Sequence, residues 1–197
     1  GMIVLIDNGH GVNTPGKCSP DGRLKEWKYC REIAEDLRKE LAAKGYNAQR
    51  IVTEDTDISL AERCRRVNAI CKEHGASNVL LVSIHNNAAG GDGKWKTATG
   101  WSGWVYTKGS ERSRLLAQHL YNVAEKRGLK GNRAVPACKY WTANFYILKH
   151  TNCPAVLTEN LFQDNKADVG YLLSEEGRKA IVDLHVDGIT NFIRSIS

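Results

Sequence analysis

Three segments that read as β-strands end in residues able to do chemistry. The first, residues 2–7, runs into Asp7-Asn8-Gly9-His10-Gly11. The apolar run 79–84 runs into His85-Asn86-Asn87, and the segment 155–158 runs into Glu159-Asn160. If these strands are parallel neighbours, two imidazoles and a carboxylate meet on one rim. Glu26, at the start of the first helix, adds a second carboxylate. Two neutral imidazoles, a carboxylate and a water make the open tetrahedral site of a hydrolytic zinc enzyme. A further carboxylate, unbound to metal, can then take a proton from the attacking water. The inventory predicts His10, Glu26 and His85 as ligands of one zinc ion and Glu159 as base. A histidine after a strand also fits a hydrogen-bonded core or loop position, so composition alone leaves both readings open.

The elements that must position these groups follow from periodicity. Apolar residues recur at helical spacing at Cys30, Ile33, Ala34, Leu37 and Leu41, and Lys44-Gly45 closes that helix. Residues 46–52 read as a strand. Ser59-Leu60-Ala61-Glu62 is a capping box opening a helix whose stripe is Leu60, Cys64, Val67 and Cys71. The run 79–84 is apolar without alternation, as in a strand covered on both faces. Residues 86–100, rich in Gly, Ala, Lys and Trp, are predicted to be a long mobile loop. Residues 101–107 alternate as a strand, and Leu116, Leu120 and Val123 mark a helix. A loop over 128–144 precedes two strand-like segments, 145–148 and 155–158. Ile181, Leu184, Ile189 and Phe192 mark a C-terminal helix. This alternation predicts a three-layer α/β/α domain with a mostly parallel mixed sheet flanked by helices. Sites in such sheets collect beyond the carboxyl ends of the strands.

The 197 residues are 42% hydrophobic and 25% charged, which suits one globular domain spanning 2–197 and excludes bulk disorder. Gly1 reads as a tag scar. No apolar run is long enough for a transmembrane segment. The first residues turn charged too early for a signal peptide. Twenty-eight basic against 22 acidic side chains give a net charge of +6, which favours a polyanionic partner, whether nucleic acid, acidic lipid or an anionic wall polymer, without naming it. The densest basic cluster, Arg63-Cys64-Arg65-Arg66, reads as the solvated face of its helix. Six cysteines without any Cys-x-x-Cys pair read as free, largely buried thiols. Gly11-Val12-Asn13-Thr14-Pro15-Gly16-Lys17-Cys18 spells a phosphate-loop pattern. The Ser19-Pro20-Asp21-Gly22 that follows cannot open the helix such a loop requires, so no nucleotide is expected. Since the charge is spread along the chain, no nucleic acid partner is expected either.

Several of these residues also fall into known patterns. Asp7-Asn8-Gly9-His10-Gly11 resembles the D-P-G-H-G signature of the zinc-dependent N-acetylmuramoyl-L-alanine amidases. Leu24-Lys25-Glu26 resembles that family's metal-binding glutamate. Asp57, Leu60-Ala61-Glu62-Arg63 and Asn68 resemble its D-x-x-x-x-L-x-x-R helix opening. Ser83-Ile84-His85-Asn86-Asn87-Ala88 is similar to its S-I-H-A-N-A motif, and residues 154–162 to its P-A-V-L-x-E-x-x-F strand. The resemblance implies a hydrolase that cuts the amide between the lactyl group of N-acetylmuramic acid and L-alanine in peptidoglycan. It assigns zinc to His10, Glu26 and His85, and the base to Glu159. Asn8 stands where the family has proline. Asn160-Leu161 replaces small residues and is expected to reshape the rim.

Secondary candidates surround this set. Asn87 is read equally as a brace of the site or a plain turn residue. Trp95 fits a wall of the substrate groove or core packing, whereas Trp104 fits the core. Arg133 and Lys139 are candidates for stem-peptide carboxylates, with surface charge as the simpler reading. His74, His119 and His185 have no partner in view. The rival functions are a zinc peptidase cutting within the stem peptide and an inactive wall-binding module. The absence of a leader leaves a protein made in the cytoplasm and acting on the wall, as a phage-type lysin or as an autolysin trimmed of its leader.

Overall fold

The computed structural model describes residues 1–197. Six strands form one sheet: β1 (Ile3–Asn8), β2 (Asn47–Arg50), β3 (Val79–Asn87), β4 (Ser102–Tyr106), β5 (Trp141–Ala143) and β6 (Ala155–Phe162). Their order is β2-β1-β3-β6-β4-β5, with every pairing parallel except β4 against β6. Six helices flank it: α1 (Glu26–Ala43), α2 (Leu60–His74), α3 (Glu111–Lys126), α4 (Tyr146–Lys149), α5 (Lys166–Leu173) and α6 (Glu175–Ser195). The alternating residues of each strand divide the core in two. Val4, Ile6, Leu80, Val82, Ile84 and Val156 pack with α1, α3 and α6 on one face. Ile3, Leu5, Val79, Leu81, Ala155 and Leu157 pack with α2 and α4 on the other. The sheet is therefore the middle of three layers, mixed and mostly parallel as predicted.

The differences from expectation are local. Residues 145–148 are not a strand: Tyr146–Lys149 is one helical turn, burying Ile147 and Leu148 while Phe145 and Tyr146 face solvent. Four consecutive apolar residues carry no period to distinguish the two. The expected 128–144 loop contains β5, a three-residue edge strand held by a stack of Trp104 on Trp141. Leu60 lies outside the buried stripe of α2, 49% exposed at its first turn. The cysteines are all free thiols, four of them buried.

The segment after β3 is tied down rather than loose. Both carboxylate oxygens of Asp164 accept from the Ala89 amide, at 3.0 and 2.9 Å, and one also accepts from Gly90 at 3.0 Å. Its carbonyl accepts from Lys96. Asp168 accepts from the Thr99 hydroxyl and from the Phe162 amide, and Asn132 holds the Thr99 amide at 3.0 Å. These partners lie far away in sequence, so composition alone reads the loop as mobile.

His185 is fully buried in α6 behind β6. Its Nδ1–H donates to the Ile181 carbonyl at 2.8 Å, which leaves Nε2 to accept from Thr158 Oγ1 at 3.0 Å. Burial pulls its pKa from 6.5 to about 4, against the raising effect of the carbonyl bond. Between those pH values the unfolded chain binds a proton that the folded chain refuses, so stability falls as pH drops from 6.5 toward 4. The loss is on the order of 3 kcal/mol. Urea unfolding across this window should show it in the wild type and not in His185→Gln; equal slopes would contradict the assignment.

Candidate metal and catalytic site

The site is built at the carboxyl ends of β1, β3 and β6, on the face shared with α2 and α4. Register places Asp7 beside Ser83 and His85 beside Glu159. Glu26 reaches the same point from the first turn of α1, whose entry is fixed by its amide bonding the Lys17 carbonyl at 3.0 Å. One oxygen of Glu26 lies 3.2 Å from His10 Nε2 and 3.2 Å from His85 Nδ1. The three donor atoms all fall within 4.8 Å of one another. Gly9 is needed here: a Cβ would sit 2.2 Å from the His85 ring, which lies flush against the backbone.

The outer partners fix how these groups present themselves. Ser83 donates its only proton to Asp7 at 2.6 Å, so its oxygen must accept from His85 Nε2 at 3.0 Å. That leaves the lone pair of His85 on Nδ1, the nitrogen facing Glu26. Burial raises the pKa of Glu26, but the lowering effect of the facing His10 outweighs it and brings the carboxyl to about 2, and the Asn86 amide also donates to it at 3.2 Å. Glu26 is therefore an anion throughout the physiological range. Two neutral nitrogens and an anionic oxygen at this spacing suit zinc by donor chemistry.

His10 sits in the left-handed region, with φ of 63°. Such backbone costs on the order of 1–3 kcal/mol and persists only where its surroundings overdetermine it. Here two buried arginines do so. The Arg31 guanidinium donates to the carbonyls of Gly9 and His10, and also to those of Trp27, Glu54 and Thr56. The Arg63 guanidinium donates to Asn8 and His10 carbonyls, to Ile58, and to the carboxylates of Asp7 and Asp57. Each fork uses all five of its N–H groups. Arg63 is only 1% exposed, so this member of the basic cluster is structural and does not belong to a solvated face. Arg65 and Arg66 do pair at the surface, with Glu62 and Glu54. Asn8 is buried as well, donating to the Val52 carbonyl and accepting from Arg50. In place of proline stiffness it staples β1 to the chain after β2.

Glu159 stands beside the donor triad. Its Oε2 is buried with no hydrogen-bond partner. Burial first, and the nearby Glu26 charge second, push its pKa well above the usual carboxylate range, opposed by Lys17 and Arg133. Past Glu159 the strand bulges: His85 and Asn87 on β3 face Glu159 and Phe162 on β6, so two residues oppose one. Leu161 takes the left-handed conformation, at φ 60°, that this requires. Asn160 turns inward and is fully buried, donating to the His85 carbonyl at 2.9 Å and accepting from Trp101 Nε1 at 2.9 Å. Neither Asn160 nor Leu161 shapes the rim; they hold β6 against β3 from beneath.

A groove of about 410 Å³ opens over the triad, lined among others by Lys17, Leu60, Phe145, Tyr146 and Gln163. Asn87 reaches the groove, but its side-chain oxygen accepts from the next amide, Ala88, as a turn residue does. Trp95 packs against the core and is not brought to the groove. Arg133 is held between aromatic faces near Glu159, and Lys139 pairs with Asn122 instead. Sequence reasoning missed Arg31 and Lys17, and misjudged Arg63. The signals for Arg63 were its position next to the apolar stripe of α2 and its place as the arginine of the D-x-x-x-x-L-x-x-R resemblance.

What fold and geometry define is an open α/β sheet carrying a His-Glu-His donor set and a fourth, unpartnered carboxyl beyond three parallel strand ends. The sequence profile of the N-acetylmuramoyl-L-alanine amidases matches residues 4–191, and the chain belongs to that family. It is 29% identical over 199 residues to an endolysin of Bacillus phage SPP1, covering 97% of this chain and 66% of that protein. It is 30% identical over 192 residues to the amidase CwlM of Bacillus licheniformis, covering 94% and 66%. The chain thus spans 66% of the length of these curated relatives. The crystal structure of an N-acetylmuramoyl-L-alanine amidase from Clostridium difficile 630 superposes with a TM-score of 0.81 at 28% identity, covering 100% of this chain and 98% of that one. The Mycobacterium smegmatis amidase Ami1 shares the fold, with a TM-score of 0.84 at 20% identity over 99% and 98% of the chains.

The arginine forks carry a direct consequence. Arg63→Met strands the buried Asp7 carboxylate and frees the Asn8 and His10 carbonyls, an expected cost of about 3–5 kcal/mol. Urea unfolding should show that loss, and zinc competition against a chelator should show weakened metal binding. Unchanged zinc affinity in the folded variant would mean that His10 does not depend on the fork.

Proposed function

We propose that residues 2–197 form a single catalytic unit that hydrolyses the amide between the lactyl group of N-acetylmuramic acid and L-alanine in peptidoglycan, acting at the cell wall. His10, Glu26 and His85 would hold one zinc ion. A zinc ion bound there supplies a Lewis acid for the lactyl carbonyl and acidifies water toward neutrality. The observation that carries the reading is the free, buried Oε2 of Glu159 beside the triad.

Glu159 takes the proton of the attacking water. Its raised pKa makes it a stronger base than an ordinary glutamate once ionised, and a ready donor once protonated. The same carboxyl then returns the proton to the alanine nitrogen, which cannot leave as an amide anion. Glu26, whose carboxyl is brought down to about 2, does not compete for that proton. Leu60, Phe145 and Tyr146 give one side of the groove an apolar, solvent-facing shelf on which substrate would pack.

Mass spectrometry of digested peptidoglycan tests the bond and the mechanism together. Stem peptides beginning at L-alanine should appear, and should vanish with a zinc chelator. Glu159→Ala should lower kcat by roughly 10²–10⁴-fold while the purified variant keeps its zinc. Cuts inside the stem peptide would make the protein a peptidase, and wild-type inactivity with zinc bound would make it a wall-binding module.

A further inference from the structure

Among the arginines around the site, Arg133 stands apart. Arg31, Arg50, Arg63 and Arg66 all donate to carbonyl, amide or carboxylate oxygens. The Arg133 guanidinium instead lies 5.3 Å from the Trp141 ring centre and 5.0 Å from that of Phe162, with no oxygen partner of its own. Trp141 is in turn stacked on Trp104, which meets Phe145 edge-on. The guanidinium is thus half-buried and oriented before any ligand arrives, which removes much of the entropic cost of using its planar fork. Phe162 lies three residues beyond Glu159 on β6. Lys17 lines the groove over the triad from the loop before α1, as Phe145 does at the near end of the aromatic chain that seats Arg133, and its ammonium has no carboxylate partner. Both cations act on the charge of Glu159, yet neither forms an ion pair with it.

We propose that Arg133 and Lys17 form an anion subsite next to Glu159 that takes the free α-carboxylate of the stem-peptide residue following L-alanine. The inference rests on the amidase reading above. A planar guanidinium fork matches a carboxylate with two parallel hydrogen bonds, and a nearby ammonium adds a second charge. One residue of extended chain spans about 3.5 Å, so a carboxylate on the second residue lies about 6 Å from the scissile nitrogen, beside the reacting amide. In peptidoglycan that second residue is a γ-linked D-glutamate. Its α-carboxyl is an anion when free and neutral when amidated. The subsite therefore makes the enzyme a reader of that modification, with Arg133 as the main determinant and Lys17 as an auxiliary one.

The test uses glycan strands of matched length whose stem peptides carry either D-isoglutamate or D-isoglutamine in second position. Release of L-alanine amino groups is followed for the wild type, Arg133→Ala, Arg133→Lys and Lys17→Ala. The wild type should favour the acid strands by about tenfold in kcat/KM, expressed in KM. Arg133→Ala should bring the ratio to about one, Arg133→Lys should restore part of it, and Lys17→Ala should reduce it less. General damage to the fold lowers both rates and leaves the ratio, so the ratio isolates the subsite. Equal wild-type rates on the two strands, or a ratio unmoved in Arg133→Ala, would overturn the subsite with the amidase reading intact. Failure to release L-alanine from either strand would overturn that reading, and the subsite with it.

Discussion

The site depends on one constraint: the carbonyls of Asn8, Gly9 and His10 point at two buried guanidinium groups. Arg31 comes from α1 and Arg63 from α2, so helices on opposite faces of the sheet converge on the turn after β1. That turn must leave the strand abruptly to aim His10 at Glu26, and it adopts a backbone conformation that a non-glycine residue rarely takes. The ten N–H groups of the two forks all find acceptors, most of them backbone carbonyls. Buried charges are costly unless paired or fully hydrogen-bonded: Arg63 meets the carboxylates of Asp7 and Asp57, and Arg31 meets five backbone carbonyls. The strain at His10 is thus offset by hydrogen bonds that the two helices supply only when folded.

From that turn the order spreads along the sheet. Asp7 orients Ser83, Ser83 orients His85, and the Asn160 amide holds the His85 carbonyl from the far side of β3. Thr158 links Asn160 to the buried His185 of α6. Asn86 closes the circle, donating its amide N–H to Glu26 and its side chain to the Asn160 carbonyl. The bulge at Asn160-Leu161 lets β6 carry Glu159 on the site face and then turn its next side chains inward. The reactive groups are therefore mounted on strands and a helix start, with polar braces on both sides of the sheet.

Much of this was legible in the sequence, for reasons of spacing. Parallel strands end on one rim, so the residues that follow apolar runs, His10, His85 and Glu159, could be brought together from their order along the chain alone. The three-layer order followed from the alternation of elements in the same way. What was not legible depended on long-range pairing. Arg63 sits in a run of basic residues, and its three distant acceptors on Asp7, Asn8 and His10 distinguish it physically from Arg65. Asp164 and Asp168 read as ordinary loop acids, yet they pin a segment some seventy residues earlier. The turn at Tyr146–Lys149 and the three-residue β5 are too short for periodicity to separate from strand and loop. Arg133 was visible only as a charge, because its aromatic seat is assembled from β5 and β6.

The proposed mechanism requires His10, Glu26 and His85 to form one metal centre with Glu159 outside it. X-ray absorption at the zinc edge, on protein reconstituted with one equivalent of zinc, tests this most directly. The expected spectrum is that of a single site with two imidazole nitrogens and one carboxylate oxygen besides solvent, unchanged in Glu159→Ala and losing one imidazole in His85→Ala. Thiolate scattering, or a spectrum that changes in Glu159→Ala, would contradict it.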